Sequence, residues 1–147
     1  MHKLNLPDFE YTLRKADGKV WIFDVIRKKF LVLTPEEWVR QHFVHYMISD
    51  LGYPRALLKL EGGLKYNMLG KRSDIVVFDR QGEPWMLVEC KSPDQSINET
   101  TLRQASVYNK TIKARYLTVT NGLKHYCCSY DHTAGTVSVL AAFPAFE

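Results

Sequence analysis

The sequence predicts one α/β (α+β) domain with helices packed on a central mixed β-sheet. Three observations lead there. Two segments carry helix-start signals, one at Thr34 and one near Ser96. A strong β-hairpin, Ser73–Phe78 with Trp85–Lys91, lies between them. Further strand-like runs stand before the first helix and after the second, an order that suits a sheet covered by helices.

Taken in order, residues 9–33 read as short strands: Glu10–Arg14, a turn at Ala16-Asp17-Gly18, Val20–Val25, and Phe30–Leu33 after the basic run Arg27-Lys28-Lys29. Thr34 can cap a helix, Pro35 suits its first position, and Glu37 completes a capping box. That helix should run to about Ser49, before Gly52-Tyr53-Pro54. A short strand, Ala56–Leu60, and a glycine-containing loop with Lys65, Lys71 and Arg72 lead into the hairpin. Ser96-Ile97-Asn98-Glu99 spells a second capping box, opening a helix to about Ile112. The end reads as strands Tyr116–Thr120, Lys124–Tyr130 and Val137–Ala142, with a turn at Asn121-Gly122. The expected layout is an N-terminal β extension (1–33), a core (34–130) and a C-terminal strand and tail (131–147).

With 147 residues and 46% hydrophobic content, the chain suits one domain with a real core, which argues against wholesale disorder. No apolar run approaches the roughly 18–20 residues of a membrane helix, and the first residues lack the apolar stretch of a secretory signal. Three cysteines, two of them adjacent (Cys127 and Cys128), make a poor disulfide framework, so the expected location is cytoplasmic. His125, Cys127, Cys128 and His132 do not converge as zinc ligands on a strand, where alternate residues face opposite ways. No Walker-type or dinucleotide glycine motif is present. The net charge of +4 is modest, but no acidic residue occurs from Thr100 to Tyr130, while Arg103, Lys110, Lys113, Arg115 and Lys124 all do. A basic surface of that kind suits phosphate backbones.

The hairpin carries the chemistry. A turn centred on Gln81-Gly82 sets Phe78 against Trp85, Val76 against Leu87 and Asp74 against Glu89, all on one face. Lys91 joins that face, while Cys90 points away with Val88 and Met86. Opposed like charges are destabilising, and Lys91 offsets only part of the crowding. A divalent cation would supply the rest, and carboxylate and carbonyl oxygens suit Mg²⁺ or Mn²⁺. Glu37 heads a helical stripe with Gln41, Val44 and Ile48, and is expected to lean over this site as a third acidic group. The alternative for Glu37 is simple closure of its capping box. In the second helix Gln104 and Tyr108, at i and i+4, share a face, with Leu102, Ala105, Asn109 and Ile112 nearer the core.

Together, Glu37, Asp74, Glu89-Cys90-Lys91 and Gln104-Ala105-Ser106-Val107-Tyr108 resemble the PD-(D/E)xK nuclease superfamily, in the branch with a QxxxY motif after the lysine. LTPEEWVRQHFVHYMI, KRSDIVVFD, LVECKSP and YLTVTNGLKHYCC are similar to the N-terminal nuclease domain of type I restriction enzyme R subunits. Ser73, where the superfamily often has proline, is a departure. The resemblance implies a restriction-endonuclease-like αβββαβ core and a metal-dependent deoxyribonuclease, an endonuclease lacking the helicase motor. It implies that Asp74, Glu89 and the Cys90 carbonyl bind Mg²⁺ (or Mn²⁺), with Glu37 as a further ligand. Lys91 would activate water and stabilise the transition state, and Gln104 and Tyr108 would position these groups. DNA is the implied partner, contacted by Lys65, Lys71, Arg72, Arg103 and Lys110. Restriction-modification subunits, a helicase partner or a homodimer are the implied assemblies, with no membrane involved. The second expectation is a catalytically silent DNA-binding or assembly module on the same fold.

Overall fold

The computed structural model describes residues 2–60, 65–66, 71–72 and 74–147. Strands β1 (Leu13–Ala16), β2 (Lys19–Asp24) and β3 (Lys29–Val32) form an antiparallel three-stranded sheet in the order β1-β2-β3. Helix α1 (Pro35–Ser49) follows, then a single 3₁₀ turn (Arg55–Leu57) and β4 (Leu58–Leu60). The pair β5 (Lys65–Tyr66) and β6 (Lys71–Arg72) is a small antiparallel hairpin of its own. Strands β7 (Ile75–Phe78) and β8 (Pro84–Cys90) precede helix α2 (Glu99–Ile112), and β9 (Tyr116–Thr120), β10 (His125–Asp131) and β11 (Thr136–Leu140) complete the chain.

The main sheet has six strands in the order β11-β10-β9-β8-β7-β4. It is mixed, because β8 and β9 run parallel while the other pairs are antiparallel. A parallel pair needs a crossover, and α2 supplies it. Leaving aside β5 and β6, the run α1-β4-β7-β8-α2-β9 is the expected αβββαβ order.

Each face of the sheet has its own core. On one, Val39, Phe43, Val44 and Met47 of α1 pack against Ile75, Val77, Met86, Val88 and Cys90, and Ile22 joins them from β2. On the other, Val76, Leu87, Leu117 and Val119 pack against Ala105 of α2. The alternation of β7 and β8 between these cores is the period-two rule at work.

Both helices start where polar caps predict, with one shift. The Glu37 N–H donates to Thr34 Oγ1 at 3.0 Å, so Thr34 caps α1. In α2 the box is not Ser96/Glu99. Asn98 and Thr101 make it, side chain to backbone in both directions. The short Asn98 side chain reaches an N–H three residues on as well as serine does, so two overlapping signals competed and the later one won.

The hairpin register agrees with expectation from Val77 inward, with Ile75 opposite Val88 and Val76 opposite Leu87. At the loop end it slips, and Phe78 pairs with Pro84 rather than Trp85. The Asp79 carboxylate organises the loop by accepting the N–H groups of Gln81 and Glu83 at 2.9 Å each, and Gly82 takes a left-handed φ of 84°. This irregularity turns Trp85 into the α1-side core, against Tyr53, Tyr116 and Phe146, and out of the expected stripe.

Candidate active site

Asp74 immediately precedes β7, and continuing the observed register by one residue brings it beside Glu89 of β8. The Cys90 N–H donates to Asp74 Oδ2 at 2.7 Å, tying the two strands together at this point. Lys91 leaves the sheet just beyond, its N–H donating to the Thr120 carbonyl of the parallel strand at 2.8 Å. Alternation sends Glu89 and Lys91 to the α2 side and the Cys90 side chain, fully buried, to the α1 side.

These groups open into a cleft of about 410 Å³ whose walls include Asp74, Glu89, Lys91, Gln104 and Tyr108, with Glu36 at the α1 side. Five of the six side chains singled out in the sequence thus meet in one cavity. The sixth, Glu37, does not line it. Glu37 is buried, paired with the Arg40 guanidinium through Oε1 and accepting from Gln41 Nε2 at 2.7 Å through Oε2. It therefore neither leans over the site nor closes its capping box. An arginine at i+3 and a glutamine at i+4 sit directly beneath it on the helix and claim both oxygens. Its neighbour Glu36 takes the place by the cleft, 3.4 Å from Arg40.

Arg40 is the residue the sequence reading missed. Its Nη2 donates to Asp74 Oδ1 at 2.7 Å while its Nη1 serves Glu37, so one buried guanidinium links α1 to the cleft. The ladder continues away from the cleft. Gln41 Nε2 lies 3.2 Å from Asp24 Oδ2, Arg27 Nε lies 2.8 Å from the same oxygen, and Asp24 Oδ1 accepts the N–H groups of Ile26 and Arg27. Burial works to raise the Asp24 pKa, but hydrogen bonds from the Arg27 backbone and guanidinium outweigh it and hold the carboxyl below its usual range. Arg40 is itself held in its charged form despite burial, by Asp74 and Glu37.

The cleft carboxylates behave differently. Burial first, and then the charge of Asp74, push the Glu89 pKa up to about 8, with Lys91 countering only in part. The proximity of Asp74 thus works in the same direction as burial, favouring the protonated form of Glu89. Glu36 is shifted upward as well, by burial and by Asp74.

Among the described residues no group of three His, Cys, Asp or Glu side chains is arranged to hold a metal ion, so the expected acidic triad is not assembled. What is present is a carboxylate pair. Its oxygens are hard donors of the kind Mg²⁺ and Mn²⁺ prefer, and the proton that Glu89 retains marks a deficit of positive charge. Asp74 already accepts from Arg40 and Cys90, but each carboxylate oxygen keeps a further lone pair. The donor set fits such a cation.

The expected nucleic-acid contacts are less well placed. On α2, Arg103 and Lys110 lie about 100–160° around the helix from the cleft-lining Gln104 and Tyr108, at about 100° per residue. Arg103 is also paired with Glu99 at 2.6 Å. Neither residue lines the cleft. The side chains of Lys65, Lys71 and Arg72 lie outside the described residues. His125 is engaged by Thr120 Oγ1 at 2.6 Å and the Asn5 carbonyl at 3.2 Å, and all three cysteines are free.

Residues 35–144 match the family described as type I restriction enzyme R protein N terminus. The chain belongs to that family. The match begins at α1 and ends past β11, so it takes in every element that forms the cleft. Among solved structures, a fragment assigned as the HsdR subunit of a type I restriction enzyme from Vibrio vulnificus YJ016 is similar, at 25% identity and a TM-score of 0.38 over 60% of this chain. This R-protein N-terminal chain spans 16% of that chain. No curated protein sequence matches it. No helix among the described residues is long and apolar enough to cross a membrane.

Proposed function

We propose that this chain is a divalent-metal-dependent deoxyribonuclease of the PD-(D/E)xK type, acting on DNA in a restriction-modification setting. The observation that carries the reading is the convergence of Asp74, Glu89, Lys91, Gln104 and Tyr108 on one open cleft. Family membership supports it.

Asp74, Glu89 and the Cys90 carbonyl are the groups that would hold Mg²⁺ or Mn²⁺. When bound, such a cation supplies charge neutralisation at a phosphate and a water of lowered pKa. Lys91 places an ammonium on the same face, where it stabilises the extra negative charge that develops on the phosphate oxygens as a phosphodiester is hydrolysed. Gln104 and Tyr108 present an amide and a phenol from α2, donors able to orient Lys91 or a backbone phosphate. Arg40 fixes the Asp74 carboxylate from behind, and Glu37 contributes by orienting Arg40. Phosphate contacts carry no sequence information, so cutting is expected to be non-specific.

The test is incubation with supercoiled and linear duplex DNA in Mg²⁺ or Mn²⁺. Nicking and linearisation that disappear in Asp74→Asn, Glu89→Gln and Lys91→Ala bear the reading out, and cleavage that survives all three overturns it. One observation favours a second reading, a silent DNA-binding or assembly module: Arg40 already neutralises Asp74, and no third acidic ligand is in place among the described residues. DNA binding without cutting in either metal selects that module.

A further inference from the structure

A second concave surface lies at the outer edge of the main sheet. It is a groove of about 520 Å³ between the β2–β3 turn and the edge strand β4, with Arg27, Lys28, Arg55 and Lys59 in its walls and no acidic residue among those that line it. Arg27 is committed to Asp24 at 2.8 Å. Lys28, Arg55 and Lys59 are exposed. Lys28 is held outward by a left-handed backbone, φ 56°, closed by its N–H donating to the Asp24 carbonyl at 2.7 Å.

The position of this groove relative to the cleft matters. Leu58 and Leu60 face the α1-side core, so Lys59 between them faces the α2 side, the side of Asp74 and Glu89. Lys59 pairs with Val76, and Asp74 is the residue two before Val76. That makes Lys59 and Asp74 diagonal neighbours, about 7–8 Å apart at the backbone. Lys59 thus joins the groove to the cleft across β4 and β7, and it is the groove cation that this register brings beside Asp74.

We propose that this groove is a phosphate track, in which Lys28, Arg55 and Lys59 hold the sugar-phosphate backbone of a DNA strand that continues into the cleft. The assignment rests on the nuclease reading for its direction, but its binding chemistry is independent of catalysis. Exposed ammonium and guanidinium groups neutralise phosphates and release counterions, and each contact adds about 0.9 to the slope of log affinity against log salt. The track replaces Arg103 and Lys110 of α2, which were expected to serve, with the sheet edge nearest the acidic pair.

The experiment is anisotropy of a labelled DNA duplex in Ca²⁺ across a salt series, with cutting in Mg²⁺ measured in parallel. It compares the full chain with the triple variant Lys28→Asn/Arg55→Gln/Lys59→Gln. All three positions are exposed, and asparagine tolerates the left-handed backbone at residue 28. The expected result is weaker binding and a salt slope shallower by about 2.7. In the control Arg80→Gln/Arg115→Gln, at the far end of the sheet, the slope stays unchanged. At saturating DNA the triple variant should cut at the unaltered rate, the loss appearing in KM. A triple variant with the parental slope overturns the track while leaving the nuclease reading intact, and a parent that binds no DNA overturns both. A parent that binds with the track's slope but never cuts supports the track and overturns the nuclease.

Discussion

Two acidic clusters stand at opposite ends of one chain of contacts, and they are compensated in opposite ways. At the inner end, Asp24 and Glu37 are buried yet fully engaged, their oxygens taken by Arg27, Arg40, Gln41 and backbone N–H groups. At the outer end, Asp74 and Glu89 crowd each other, and Glu89 retains a proton into the range where carboxyls are normally ionised. The same residue type is structural where arginines and amides answer it and chemically unfinished where they do not. Arg40 belongs to both ends, since it completes Glu37 and half-completes Asp74.

Breaking the shared link should have the largest effect on stability. Arg40→Met removes the nearer ion-pair partner of buried Glu37, leaving Arg27 at 3.8 Å, and removal of one member of a buried pair costs about 3–5 kcal/mol. Urea unfolding checks this, and a loss below about 1 kcal/mol would mean that the ladder is ornamental to the fold. At the outer end the sign of the response reverses. Lys91→Ala should cost activity, about 10²–10³ in kcat as for removal of a charge-stabilising donor, with little change in unfolding midpoint. A variant that loses its fold along with its activity would put Lys91 in the structural class.

Asp24→Asn is a milder test of the inner end. It keeps the shape but turns one acceptor into a donor facing Arg27 or Gln41, and should cost about 1–3 kcal/mol by thermal or urea unfolding. Glu89→Gln probes the outer end through pH. A carboxyl whose pKa is about 8 folded and near 4.5 unfolded gives its full stabilisation below pH 4.5, and loses it as pH rises toward 8. In EDTA the parent's stability should therefore decline across that interval relative to Glu89→Gln. Added Mg²⁺ should remove the decline in the parent and leave the variant unmoved.

Much of the outer cluster was legible because strand alternation and i, i+4 spacing are rigid rules. Asp74, Glu89 and Lys91 followed from period two along the hairpin; one helical turn put Gln104 and Tyr108 on a common face, and their place beside the carboxylates was what the QxxxY resemblance implied. The inner cluster was hidden. Helix α1 buries polar as well as apolar residues, so its pattern does not distinguish which acidic residue of Glu36-Glu37 faces the cleft. The usable signal was Arg40 and Gln41, three and four residues after Glu37, which draw that side chain down the helix. Trp85 was misplaced because the slip at Phe78 depends on the Asp79 carboxylate, a local hydrogen-bond choice that alternation does not record. The placement of Arg103 and Lys110 shows the limit of counting charges along a helix without counting degrees around it.

The parallel contact of β8 with β9 has a consequence for how this protein comes together. Its two acids reside in a hairpin, which closes over a few residues and in microseconds. The opposite wall, and the Thr120 carbonyl that receives the Lys91 N–H, arrive only after the whole of α2 has looped back. Non-local pairing of that kind is slow, so enclosing the acids is a more demanding step than bringing them together. The enclosure of the cleft therefore hangs on the long-range pairing of β8 with β9, and the hairpin alone does not provide it.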